Sequence, residues 1–193
     1  MTAQCFGRYF TFGKLKTNLN MWFTWADSFQ KAKKVQTQNI SLDTYSALYN
    51  YAVCMARIGI LSDLSGDGIK IASASLCKAA STFDYLKTAC NQLQPAEVSP
   101  DLQSQTLDQN RDLCLGQAQY LFYKMAKDKG MKASLLSQIA MQSSIYFREA
   151  HEKNMMSQPL RQFENGAFSA KLGYHACYFE AIAFYEQGAF LYK

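Results

Sequence analysis

Few residues in this 193-residue chain have the type and spacing to do chemistry. Asp63-Leu64-Ser65-Gly66-Asp67-Gly68 begins like a calcium loop, with carboxylates near the start and a glycine at the sharp turn. Its twelfth position should supply a bidentate Glu but is Ala74, and its eighth should be apolar but is Lys70. A loop that caps helices is the reading left. His151 and His175 fall on different helical segments, and neither has a second metal ligand at helical spacing. The six cysteines show no CxxC pairing; most fall on apolar helical stripes, where a thiol behaves as a small buried hydrophobe, and their usage fits a reducing, cytosolic compartment. No acid or oxyanion loop accompanies a Cys or His, and no glycine loop could cradle a phosphate. The chain therefore reads as non-catalytic, with no cofactor, no metal and no nucleic-acid signature.

The elements that would position a site follow from composition and period. With 49% hydrophobic residues, 18% charged, 12 Tyr and 13 Phe, the chain is long enough for one domain with an aromatic-rich core. Residues 1–40 carry six basic residues against Asp27 alone, so the whole net charge of +5 sits there. Such an edge could touch an anionic membrane surface, or be a solvated lysine fringe. Met21-Trp22-Phe23-Thr24-Trp25 is rich in strand formers and ends in a turn signal, and Val35 to Ile40 offers a second short strand. Helical periodicity then predicts five helices: Leu42 to Leu61, Asp67 to Leu93, Pro100 to Lys129 with Ser99 as N-cap, Lys132 to Met156, and Gln162 to Tyr192. No segment has the length and apolarity of a membrane span.

Two helices carry more apolar surface than one core contact needs. On the fourth, Leu136, Ala140 and Phe147 form one stripe, while Leu135, Ile139 and Tyr146 form another about 100° away. On the third, Cys114, Ala118, Leu121 and Met125 form the core stripe and leave Phe122 to the side. Lys124, Lys127, Lys129 and Lys132 cluster around the intervening turn, opposed only by Asp128. An apolar strip rimmed by lysines suits an amphipathic helix with an acidic face; packing against further helices is the other reading. The fifth helix also has two stripes, one of Phe163, Ala167, Ala170, Tyr174, Cys177, Ala181 and Phe184, the other of Phe168, Leu172, Phe179 and Ile182. It lies between layers or lacks a covering partner.

A set of motifs adds to this. Phe23-Thr24-Trp25 with Asp27 and Phe29, Ser41-Leu42 followed by Ala47, Tyr49 and Asn50, Gly68-Ile69-Lys70, Ala79 to Lys87, Glu97-Val98-Ser99, and Leu115-Gly116-Gln117-Ala118-Gln119 occur in that order. Together they resemble the Bro domain of the ALIX family, the ESCRT-associated adaptors, from about Trp22 to Tyr192. The resemblance implies a mainly α fold, an elongated, TPR-like, boomerang-shaped helical solenoid with a small β element near its N-terminus. It also implies a non-catalytic module in endosomal and multivesicular-body sorting, cytoplasmic and recruited to endosomes. Its groove would bind the C-terminal amphipathic helix of an ESCRT-III subunit through Phe122, Leu135 and Ile139, with Lys70 and Lys132 on the rim.

The family domain is longer at both ends. Residues 1–21 are thus expected to be a divergent lead, and 22–193 a partial Bro domain. Rhophilin and HD-PTP also carry Bro domains, so a Rho-signalling or phosphatase-linked scaffold, or a truncated non-functional isoform, are the alternatives.

Overall fold

The computed structural model describes residues 21–30 and 32–192 of the chain. Most of the basic N-terminal edge, including Arg8, Lys14, Lys16 and Lys31, lies outside the described residues, as does Cys5. Strands β1 (Phe23–Ala26) and β2 (Lys34–Thr37) pair antiparallel, with Phe23 opposite Thr37 and Trp25 opposite Val35. Alternation directs Trp25 and buried Val35 onto the helices. Asn39 then caps α1 (Ile40–Leu61) by accepting from the Ser41 amide.

The remaining elements are α2 (Gly68–Cys90), α3 (Ser104–Asp128), α4 (Ala133–Met156), the short α5 (Gln158–Gln162) and α6 (Ala167–Leu191). Each long helix packs on the one before it, α1 on α2, α2 on α3, α3 on α4 and α4 on α6. The expected architecture, a mainly α solenoid with a small β element, is the one observed. The core runs through its length: Tyr49 sits between Trp25 and Phe83 at edge-on ring distances of 6.0 and 5.7 Å, and Phe147 stacks on Phe179 at 5.6 Å. Cys114, Ala118 and Leu121 of α3 and Leu136, Ala140 and Phe147 of α4 are buried, as the stripes predicted, while Met125 is partly buried against the same core. No helix among the described residues is long and apolar enough to cross a membrane.

Three local expectations change. Ser99-Pro100-Asp101 does not start the third α-helix; it forms a 3-10 turn (Pro100–Leu102), and α3 begins at Ser104. The fifth predicted helix is interrupted, because Glu164 and Asn165 adopt left-handed backbone angles and break α5 from α6. Of the cysteines, Cys90 and Cys114 are buried, and burial pushes each thiol up to about 12, but Cys54 and Cys177 are exposed. These two thiols lie on outward faces of α1 and α6.

Candidate functional site

The α3–α4 hairpin carries the apolar strip. Gly116 lets the two helices approach: a Cβ there would sit 3.0 Å from Cδ2 and Cε2 of Phe147. The Ser143 hydroxyl uses the same close approach to donate to the Gly116 carbonyl at 2.9 Å. Deeper along the interface the fully buried Asp112 accepts from Lys153 of α4 and, at 2.9 Å, from Arg111. These contacts set an antiparallel register, and Ile139 packs against the cluster of Tyr123, Ala126, Leu136, Ala140 and Ala183. Phe122 therefore lies level with Ile139, and Leu135 lies one turn nearer the connecting loop. Phe122 and Leu135 are 38% and 40% exposed, while Ile139 is half-buried against the cluster that includes Leu136 and Ala183.

Helix α2 packs on the other side of α3. Lys87 pairs with Asp108 at 2.7 Å and Arg111 with Asp84 at 3.1 Å, which fixes the α2–α3 register. Followed towards the start of α2, that register brings Lys70 to the turn of α3 that holds Phe122 and Met125. Gly68 is required two residues earlier, because a side chain there would collide with the Asp63 carbonyl oxygen. The Lys70 ammonium is exposed and donates to Asp67 at 2.8 Å, a hydrogen bond that raises its pKa. Lys132 is exposed at the N-cap of α4, where its carbonyl accepts from the amides of Leu135 and Leu136. Of the five residues singled out from the sequence, Phe122, Leu135 and Ile139 thus lie on neighbouring turns of the α3–α4 hairpin, Lys132 is exposed at the N-cap of α4, and Lys70 is exposed near the start of α2.

The lysine rim differs from expectation. At about 100° per residue, Lys124 and Lys127 stand 140–200° round α3 from Phe122. They line a different cavity of about 520 Å³, with Tyr120, Tyr123, Tyr178 and Tyr185. Lys127 is also not opposed by Asp128 alone. It donates at 3.0 Å to both Glu186 and the Tyr123 hydroxyl, and Tyr123 donates to Glu186 at 2.6 Å. These partners push the Lys127 pKa up. Lys124 and Lys127 thus belong to a junction of α3 with α6, while Lys70, Lys129 and Lys132 are exposed.

A second constellation went unread in the sequence. Asp101, fully buried, accepts from the Trp25 indole at 2.9 Å, from the Ser28 amide at 3.0 Å, from the Ser28 hydroxyl at 2.9 Å and from the Ser99 hydroxyl. Its own amide donates to Asp27 at 2.8 Å, and Asp27 also accepts from Phe29 and Gln30. Burial raises the Asp101 pKa, opposed by the serine hydrogen bonds and reinforced by the Asp27 charge. This clamp ties the sheet to the start of α3, so the Trp25 and Asp27 motif is structural. The signal was present as paired Asp-Ser and Ser-Pro-Asp turns, but the partners lie more than seventy residues apart.

The chemistry-bearing residues take structural roles. Asp63 accepts from the amide and hydroxyl of Ser65 and shapes the α1–α2 loop. His175 stacks on Phe147 at 5.1 Å, and burial lowers its pKa. Among the described residues no group of three or more His, Cys, Asp and Glu side chains could hold a metal ion.

A family model described as the BRO1-like domain matches residues 9–192. The chain is 27% identical over 175 residues to the vacuolar-sorting protein BRO1 of Arabidopsis thaliana, a match covering 88% of the chain and 20% of the relative. It is 26% identical over 172 residues to the programmed cell death 6-interacting protein of Homo sapiens, covering 86% and 19%. A solved structure of an ALIX BRO1 CHMP4C complex superposes with a TM-score of 0.81 at 24% identity, covering 95% of this chain and 52% of that one. The chain spans about a fifth of the length of the curated relatives it matches.

Proposed function

The chain belongs to the family of BRO1-like domains, and on that premise we propose that it is a non-catalytic adaptor module whose groove holds an amphipathic helix from the C-terminus of an ESCRT-III subunit. The observation that carries this reading is the exposed pair Phe122 and Leu135, set beside half-buried Ile139 on a rigid hairpin. An apolar strip of this kind accepts residues spaced i, i+3, i+4 and i+7 on a partner helix. Lys70, Lys129 and Lys132 stand where acidic side chains flanking that face would end, and they set orientation and on-rate more than affinity. In this reading the protein is cytoplasmic, recruited to endosomes, and works in membrane remodelling. The basic residues before position 40 add a salt-sensitive contact with anionic lipid, which vesicle co-sedimentation at low and high salt would detect.

Calorimetric titration with a synthetic peptide of an ESCRT-III C-terminal helix tests the groove. Binding is expected, and Leu135→Asp with Ile139→Asp should abolish it by placing two unpaired carboxylates in an apolar contact. Equal binding by the double variant, or no binding by the parent chain, would sink the proposal.

A further inference from the structure

Strained backbone marks the break between α5 and α6. Glu164 and Asn165 are the only non-glycine residues with positive φ among the described residues, at 50° and 55°, and Gly166 follows at 82°. The left-handed region disfavours an L-residue by about tenfold. Asn and Gly tolerate it best, so Glu164 is the misfit. Such strain persists only where surrounding contacts fix it, and it gathers at switch regions.

Helix phase shows what the break achieves. Leu172 and Phe179 of α6 are buried in the core. In one continuous helix Phe163 would stand nine residues before Leu172, about 180° round the axis, and so point away from that core. In the structure Phe163 is instead extended, with φ −58° and ψ 133°, residues 164–166 are left-handed, and Ala167 returns to helical angles. This path brings Phe163 edge-on to Phe168 at 5.9 Å and edge-on to Phe29 at 5.2 Å. Phe29 belongs to the motif whose Trp25 and Asp27 build the Asp101 clamp, and its backbone is held on both sides. The Ser28 amide donates to Asp101 at 3.0 Å, and the Phe29 amide donates to Asp27 at 2.9 Å.

We propose that Phe29 is a pin that couples the N-terminal sheet to α6. It selects the broken form of residues 158–191, and without it α5 and α6 join into one helix. Local preference leaves the two forms close. The broken form strains Glu164, whereas the joined form places Gly166 in a helix interior and turns Phe163 from its aromatic partners. The ring contact with Phe29 therefore decides between them. The consequence travels along α6, which supplies Ala183 to the buried cluster on which Ile139 packs.

Backbone amide-to-Hα couplings and Cα shifts of residues 163–166, measured by NMR on the full chain, distinguish the two forms. Wild type should give left-handed values at Glu164 and Asn165. Gly166→Ala removes the residue best suited to the turn and favours a helix interior by about fivefold, yet with Phe29 in place the turn should persist. Adding Phe29→Ala should shift the balance by a further tenfold or so. Residues 163–166 should then take right-handed helical values, with a stronger far-ultraviolet helix signal. Phe29→Leu with Gly166→Ala keeps most of the burial and should move the same signals part-way, so a chain unfolded by the alanine pair does not end the test. Signals unmoved in that milder variant would overturn the proposal, as would left-handed or random-coil values in Phe29→Ala with Gly166→Ala. A joined helix in Gly166→Ala alone would overturn it too, because glycine and not Phe29 would then set the turn.

Discussion

An alanine series across the groove separates partner contact from core packing. Fully burying a Leu or Phe side chain is worth about 1.5–3 kcal/mol. Phe122 and Leu135 keep 38% and 40% of their surface exposed, so a partner helix covering them can add about 1 kcal/mol at each. Phe122→Ala and Leu135→Ala should therefore each weaken peptide binding about fivefold, and, because the rest of each side chain is buried within the chain, lower the thermal midpoint by about 2–6 °C. Ile139 is only partly exposed and packs against the buried cluster of Tyr123, Ala126, Leu136, Ala140 and Ala183. Ile139→Ala should cost about 1–2 kcal/mol of stability, lowering the midpoint by about 3–6 °C, as well as affinity. Calorimetric titration and thermal melts on the same preparations give both columns. Binding left unchanged by Phe122→Ala and Leu135→Ala would refute the assignment of these side chains to an exposed contact.

Three other perturbations test the supports of the site. Gly116→Ala should destabilise the chain by about 1–3 kcal/mol in urea melts, since Phe147, stacked on Phe179 and His175, has little room to yield. Asp101→Ala strands the Trp25, Ser28 and Ser99 donors and should cost about 3 kcal/mol or more, whereas Asp101→Asn keeps one acceptor oxygen for Trp25 and Ser28 and can donate to the Ser99 hydroxyl, and should cost clearly less. Because the folded Asp101 pKa is raised, the native state holds that proton more tightly than the unfolded chain. The stability of wild type relative to Asp101→Asn should thus fall as pH rises from the ordinary carboxylate range through the raised value, then level off; a difference flat across that window would contradict the burial argument. Asp67→Asn frees the Lys70 ammonium and should tighten binding of an acidic peptide by up to about twofold at low salt, an effect that high salt removes.

The helices were legible because their signals are local. Leu136, Ala140 and Phe147 recur at intervals that place them on one side of any α-helix, and the structure buries all three. Phe122 and Leu135 lie off the core stripes for the same reason, and both are exposed. The ordered motifs supplied the family. Ser99-Pro100-Asp101 shows the limit, since its start signal is used for a 3-10 turn once the Asp101 carboxylate is claimed by Trp25 and Ser28.

By itself, then, the sequence determined the period, the length and the apolar faces of each helix, because rotation by about 100° per residue depends on nothing beyond the helix. Only the tertiary structure decided what each face meets. It turned Lys124 and Lys127 towards Tyr178 and Tyr185, joined Asp27 to the Asp101 turn, and set the Leu172 and Phe179 face of α6 inward. Those outcomes depend on which helices become neighbours, and neighbours are chosen by packing between residues far apart in the chain.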